Sequence, residues 1–344
     1  KEQPFHSPFL IKEMDKAVER IITAIQHNEK IIFHGDYDAD GVTTTALFVK
    51  GMKHLGVNVD WYVPHRHKDG YGLHIRNMKR FEEEGYDLLI TGDTGIKEME
   101  TISKMTMDVI VTDHHEPFVV SNKEDLSQYL TNSQIIEKDG LFMAIPKAIA
   151  VVNPKRIDCE YPNKSLSGVA VMFKLLEALY LQLGVPTDYL YQQLDLVATG
   201  MVADLIEQVD RKNEDLEARK IIVEGLKMIN NKQNVWSRLL STLVTKQDVT
   251  ITDLGFQFGP HLNAPGRMDS PNIAVEFLIE EDEEKAKKLL KELKKINKQR
   301  KEFQKQGTET ANVILSNQDP SSFSHSVVVK LPSEFHSGIV GLIA

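Results

Sequence analysis

One cysteine, Cys159, stands in 344 residues, so no disulfide can form within the chain. A small disulfide-held secreted scaffold is excluded, and a reducing compartment, the cytoplasm, is the expected location. Long hydrophobic runs are missing as well. No apolar stretch approaches the ~18 residues of a membrane span, and no apolar core with a cleavage site follows Lys1, which itself reads as a trimmed N-terminus. A membrane partner is therefore not expected. Serine chemistry lacks its Gly-x-Ser-x-Gly elbow, and Cys159 has no evident activating neighbour. Basic excess is also absent: 41 Lys and Arg against 50 Asp and Glu give a net charge of −9, which taken alone argues against a nucleic-acid partner. Internal repeats and low-complexity tracts are not found.

What is present is ordinary globular composition, 41% hydrophobic and 26% charged, with length for roughly two domains at ~150 residues each. An amphipathic helical spacing over Ser7 to Ile25 leads into short β-rich runs at Ile31 to Phe33, Val57 to Val63, Tyr86 to Ile90, Val109 to Val111 and Ala148 to Val152. Helical patterns lie between them at Val42 to Leu55, Ile75 to Glu84 and Ile96 to Lys104. Strand alternating with helix predicts an α/β fold, a parallel sheet flanked by helices. From Ser165 the pattern turns helical, over Leu166 to Leu183, Leu194 to Asp204 and Glu214 to Ile229. The sequence divides into a first domain with its N-terminal helix at 1–245, a further segment at 246–282, a basic connecting helix at 283–316 and the beginning of a second α/β domain at 317–344. A strand at Ser326 to Leu331 and a helix opening near Gly338 are expected there, and that domain reads as cut short.

Parallel sheets collect function just past the carboxyl ends of their strands. Those positions read His34-Gly-Asp-Tyr-Asp-Ala-Asp-Gly41, Thr91-Gly-Asp93-Thr-Gly95 and Thr112-Asp-His-His115. Asp36, Asp38 and Asp40 on one side of an extended segment would repel one another unless a cation compensated them. The structural alternative makes Asp40 the N-cap of a helix starting at Val42. Asp113-His114-His115 offers one imidazole to a metal, a second to a substrate phosphate, and a carboxylate to orient one of them. Asp38-Ala-Asp-Gly-Val42 also fits the nucleophile loop of haloacid-dehalogenase-type phosphatases, but that pattern calls for no Asp-His-His triplet.

Together these segments resemble motifs one to three of the DHH phosphoesterase superfamily, and Gly200-Met-Val-Ala-Asp204 resembles motif four. Pro64-His-Arg-His-Lys-Asp-Gly-Tyr-Gly-Leu73, Val152-Asn-Pro154, Cys159-Glu-Tyr-Pro162, Leu166-Ser-Gly-Val-Ala-Val171 and Gly259-Pro-His-Leu-Asn-Ala-Pro-Gly-Arg-Met268 look like one branch, the RecJ family of bacterial single-strand-specific 5′-to-3′ DNA exonucleases. The resemblance implies that Asp38, Asp40, Asp93, His114 and Asp204 are metal ligands, Asp93 bridging two ions, with His34 and Asp36 as further ligands. It gives His115 to the scissile phosphate, and Asn263 and Arg267 to DNA phosphate. Phe335-His-Ser-Gly-Ile-Val-Gly341 resembles the start of the DHH-associated C-terminal domain, whose His336 reaches the phosphate. Three departures stand out: His261 where the branch has Arg, Phe335 where it has Trp, and Leu-Ile-Glu-Gln-Val-Asp after Asp204.

The implied activity is hydrolysis of single-stranded DNA from its 5′ end to mononucleotides, in DNA repair and recombination. Asp93, His115 and Asp113 are its expected catalytic residues. Mixed imidazole and carboxylate ligands suit two Mn²⁺ ions, with Mg²⁺ as a substitute. Implied partners are single-stranded DNA, a single-strand-binding protein and a helicase, acting on a monomer. Two alternatives remain: a DHH phosphodiesterase for short oligonucleotides or cyclic dinucleotides, and a non-enzymatic replication scaffold of the Cdc45 type. The charge is also unevenly spread. Lys285 to Gln306 carries ten cations and two acids, a local +8, which leaves −17 for the rest. That helix is either a solvated connector packed on one side or a basic track for a polyanion.

Overall fold

The computed structural model describes residues 5–317 and 327–344. Five parallel strands, β1 (Ile31–His34), β2 (Asp60–Tyr62), β3 (Leu88–Gly92), β4 (Asp108–Thr112) and β8 (Ala150–Val152), form one sheet in the order β2-β1-β3-β4-β8. Their side chains alternate between two cores, as a pleated strand covered on both faces must. Ile31, Phe33, Leu88, Ile90, Ile110 and Val152 enter one core, while Ile32, Leu89, Val109, Val111 and Val151 enter the other.

Helices run α1 (Met14–His27), α2 (Ala39–His54), α3 (Ile75–Glu83), α4 (Met99–Ile102), α5 (Gly168–Leu183), α6 (Asp188–Tyr191) and α7 (Leu194–Ala203). They continue as α8 (Glu217–Asn230), α9 (Val235–Ser241), α10 (Ile251–Asp253), α11 (Gly259–Met268), α12 (Asn272–Ile279), α13 (Glu283–Ser316) and α14 (Ser337–Ile343). Helices α1, α2, α5 and α7 cover the larger core, and α3 and α4 the smaller. Leu254, Phe258, Val275 and Leu293 lie in the same core as Ile21 and Phe48, so the apolar interior runs continuously past position 245.

Three differences from the sequence reading have physical causes. The stretch 113–149 builds a separate antiparallel sheet from β5 (Phe118–Val120), β6 (Ser133–Lys138) and β7 (Leu141–Pro146), in the order β5-β7-β6. Its signal was Asp139-Gly140, a two-residue turn with φ of +52° and +77°, the left-handed pair a tight hairpin requires. Helix α2 begins at Ala39 rather than Val42, and its N-cap is Asp38, whose Oδ1 accepts from Gly41 N at 3.0 Å. Asp40 therefore lies inside the first turn, and the capping alternative for it is corrected. Val327 to Leu331 forms no strand, because no described strand lies alongside to complete its hydrogen bonds; Ser326 lies outside the described residues. The helix expected near Gly338 is present as α14, docked on α13 and α11.

Helix α13 buries Ala286, Leu290 and Leu293 along one stripe. Three of its ten cations, Lys287, Lys295 and Lys305, pair with acids of the same helix, Lys287–Glu284 and Lys295–Glu292 at 2.8 and 3.0 Å. Among the described residues, no helix is long and apolar enough to cross a membrane.

Candidate metal centre

Each functional segment begins where the parallel ladder ends. Asp93 N still bonds Thr112 O at 3.1 Å, and Asp113 N bonds Val152 O at 3.1 Å, so both carboxylates are fixed by continuation of the sheet. Asp93 takes a left-handed backbone at φ +63°, which turns its side chain toward the loops of the neighbouring strands. Helix α5 comes down on the same point. Gly168 lies so close that a Cβ there would sit 2.5 Å from Asp93 Cβ, so no larger residue fits.

The α5 N-terminus also holds Asp40. Ser167 Oγ and Val169 N donate to its Oδ1 at 2.9 and 3.1 Å, and Gly168 N donates to Oδ2 at 2.6 Å. Sequence reasoning matched Leu166 to Val171 to the family without assigning it this task. Unpaired N–H groups at a helix start favour an anion, which steadies a carboxylate surrounded by others.

At these strand ends three sets of ligand atoms among the described residues each fall within 4.8 Å: Asp36, Asp38 and Asp93; Asp93, His114 and His115; Asp40, His114 and Asp204. Asp93 and His114 belong to two sets each, so the acids and imidazoles form one continuous row. His114 Nε2 lies 3.0 Å from Asp93 Oδ1, 3.6 Å from Asp204 Oδ2 and 3.8 Å from Asp40 Oδ2. Yet His114 Nε2 and Asp93 Oδ1 are buried without any hydrogen-bond partner. Buried polar atoms are ordinarily paired, so donor atoms that converge unpaired fit a divalent cation better than a structural network.

The electrostatics agree. Burial, then repulsion from Asp38, raises Asp36 well above the usual carboxylate range; burial, then Asp40, does the same to Asp93. Burial pushes Asp40 up to about 6 against the opposing pull of His114, and burial followed by Asp38 takes Asp204 to about 6. His114 is lowered by burial, which keeps its ring neutral and able to donate a lone pair. An acid whose folded pKa is raised favours the fold when protonated. That contribution is full below about 4 and is lost as pH rises through about 6. The metal-free protein should therefore melt lower at pH 7.5 than at pH 5.5 as far as this cluster decides. Mn²⁺ should raise the melting temperature more at the higher pH. Calorimetry showing an equal Mn²⁺ gain at both pH values would contradict this.

Not every expected residue joins the row. His34 is fully buried and packs on Tyr62 with ring centroids 5.4 Å apart; both ring nitrogens are unpartnered, burial lowers it to about 4, and it belongs to none of the three sets. Asp113 is a holder of others. Its Oδ1 accepts from His114 N at 2.7 Å, His115 N at 3.1 Å and His115 Nδ1 at 2.8 Å, while Oδ2 accepts from Ile96 N at 2.9 Å. That contact raises His115 above its ordinary value.

At the Asp36 and Asp38 end stands a cationic wall. Asn263 Oδ1 accepts from Ala39 N at 2.7 Å, so it secures the acidic loop. Arg267 donates to Gly338 O at 3.2 Å and is lowered by burial and by Arg66 beside it. Arg66 lies over the Tyr37 ring at 4.0 Å and donates from Nε to Gly266 O at 3.2 Å. Gly266 is required there, since a Cβ would meet Tyr37 O at 2.2 Å. His336 packs on Phe303 at 6.0 Å and His67 at 4.5 Å, its Nδ1 unpartnered. Of the departures, His261 bonds Gln257 O through Nδ1 at 2.6 Å, and Phe335 lies 5.7 Å from Phe303.

Arg66 and Tyr71 were missed as site residues, although Pro64 to Leu73 had been matched as a block. Tyr71 is 54% exposed and meets Tyr37 edge-on at 6.1 Å. Its hydroxyl is raised by burial and by Asp36, Asp113 and Asp93.

The model of the DHH family N-terminal domain matches residues 30–201. The chain belongs to the DHH family. Its curated relatives include the single-stranded-DNA-specific exonuclease RecJ of Bacillus subtilis, 34% identical over 100% of this chain and 39% of that protein. RecJ of Escherichia coli is 33% identical over 96% of this chain and 55% of that protein. The chain thus spans between two fifths and just over half the length of these DHH relatives. Among solved structures, exonuclease RecJ bound to manganese has a TM-score of 0.79 at 28% identity, covering 99% of this chain and 78% of that one. RecJ of Thermus thermophilus with Mn²⁺ gives 0.74 at 27% identity, covering 97% and 44%.

Proposed function

We propose that this DHH chain is the metal-dependent catalytic part of a single-stranded-DNA-specific 5′-to-3′ exonuclease. The observation that carries the reading is the row of converging carboxylate and imidazole atoms, with Asp93 Oδ1 and His114 Nε2 unpartnered within it, ending against Arg66 and Arg267. Acids alone would repel a phosphodiester. Acids loaded with cations beside guanidinium groups would hold one.

Asp36, Asp38 and Asp93 would hold one ion, and Asp40, His114 and Asp204 a second. Mn²⁺ suits this donor set and is bound by the RecJ structures that this chain resembles. Divalent cations there supply Lewis acidity toward water and phosphate oxygen. The protein does the rest. The α5 N-terminus fixes Asp40, and Asp113 orients His115 toward the phosphate. Arg267 and Arg66 neutralise phosphate oxygens, with His336 close enough to Arg66 to feel its charge. Tyr71 offers an aromatic face to an unpaired base. Residues 246–282 and 283–316 carry the phosphate contacts and the connecting helix, and residues 317–344 begin a second domain.

The decisive experiment compares a long 5′-labelled single strand with a dinucleotide, in Mn²⁺ and after chelation. The expected result is metal-dependent release of mononucleotides from the long strand, with a higher kcat/KM than for the dinucleotide. Equal or better turnover of the dinucleotide would favour a short-oligonucleotide phosphodiesterase. Absence of cleavage at any metal concentration would point to a scaffold.

A further inference from the structure

A cleft of about 710 Å³ opens from the opposite end of the row, with His114 and Asp204 at its inner end. Lys155 lies there too, close enough to act on both of those residues. Its Nζ is 3.2 Å from Glu116, a carboxylate that is 74% exposed. Farther out, three more lysines face the same space from separate parts of the chain: Lys138 at the β6–β7 hairpin, Lys164, and Lys212. Lys164 rests its ammonium on Pro154 O and Cys159 O, both at 2.8 Å, and both Lys138 and Lys212 push on its charge. Neither Lys138 nor Lys212 makes an ion pair with any described residue. Asp210 lines the cleft but is occupied by backbone and amide donors, from Lys164 N, Asn213 N and Asn213 Nδ2 at 2.9–3.0 Å. Glu116, Asp139, Asp204, Glu207 and Asp210 match the five cations of the lining in number, Arg156 included, so what the cleft offers an anion is not a net positive charge but the ammonium groups left without a carboxylate partner, those of Lys138 and Lys212.

Ammonium groups without a carboxylate partner, set along a concave space, are free to take phosphate oxygens of a strand and release its counterions. Volumes of ~300–1,000 Å³ accommodate a drug-sized ligand, so this cleft has room for about two nucleotides. It is continuous with the place where a phosphodiester would be cut. An enzyme that removes single nucleotides from a 5′ end has one nucleotide on the 5′ side of the cut and the remaining polymer on the 3′ side. The guanidinium pair at one end matches the former, and the longer lysine track at the other matches the latter.

We infer that the DNA strand on the 3′ side of the cut runs through this cleft, its phosphates on Lys155, Lys164, Lys138 and Lys212, with the β6–β7 hairpin as one wall. The inference rests on the exonuclease reading. It gives the small antiparallel sheet, which contributes nothing to the metal row, a direct task in holding substrate.

The test is the double variant Lys138→Glu/Lys212→Glu in the 344-residue chain, since Lys212 is exposed, Lys138 partly so, and neither ammonium holds a structural bond. KM for a long oligothymidine should rise on the order of tenfold, and its dependence on salt should flatten, because fewer counterions are released on binding. The dinucleotide, which places only one nucleotide on the 3′ side of the cut, should show a much smaller rise. Affinity for the long strand, measured by anisotropy without a catalytic metal, should fall in parallel. Unchanged KM and affinity for the long strand would overturn the inference, as would an equal loss on the dinucleotide. A wild type that binds the long strand but cuts nothing would instead overturn the nuclease reading, while the anisotropy comparison would still decide the cleft.

Discussion

Asp93→Asn is expected to lose Mn²⁺-dependent cleavage by on the order of a thousandfold or more, while the protein stays folded. Asp93 belongs to two of these three ligand sets, as His114 does, so removing its carboxylate damages more than one part of the row. Asn is the informative replacement. The position has φ +63°, which Asn tolerates far better than Ala or a larger residue, and Gly168 leaves no space for anything bigger. Stability should move the other way. Asp93 is buried, and Asp40, Asp38, Asp36 and Asp113 raise its pKa further, so the metal-free protein must either bear the repulsion or take up a proton, and the neutral amide removes that cost. The metal-free variant should melt higher than metal-free wild type, and added Mn²⁺ should stabilise it less. Calorimetry and a 5′-end release assay read the two effects. Retained turnover in a folded variant would exclude Asp93 from the centre.

The same position shows what the sequence made legible. Asp93 was found because β3 is a short apolar run with a polar turn at its carboxyl end, and a parallel sheet brings such ends together. Periodicity, followed by the placement of acids and histidines, was therefore enough to locate the row. His34 marks the limit of that argument. It stands at a strand end like the others, but pleating turns its ring toward Tyr62, and one register position decides which way a side chain points. The cationic wall was less legible because Arg66 and Arg267 are 201 positions apart and meet only through the close approach of Gly266 to Tyr37. Similarly, the lysines of the cleft come from segments with no shared pattern. The −9 net charge was the weakest guide. Acids of the metal row account for much of it, and they repel a polyanion only while no cation is bound.

Asp113→Asn tests the other feature of the row, the control of His115. The carboxylate accepts four N–H groups, three on Oδ1 and one on Oδ2. An amide can present only one acceptor oxygen. Whichever way it is placed, its NH2 faces Ile96 N, or else it faces His114 N, His115 N and His115 Nδ1, donor against donor. The His115 ring then loses its fixed direction and the turn after β4 loosens. Mutation of such supporting groups commonly costs 10–100-fold in metal affinity or activity, and about a hundredfold loss of kcat is expected here. A second readout separates positioning from simple damage to the turn. Asp113 raises the pKa of His115, its hydrogen bond being the largest cause. Without that bond, the limb of the kcat–pH profile belonging to His115 should move to lower pH, whether the protonated or the neutral ring is the working form. His115→Ala should remove the limb altogether, and adding Asp113→Asn to it should then cost little more. An Asp113→Asn profile with unchanged limbs and reduced height would mean that the carboxylate supports only the turn.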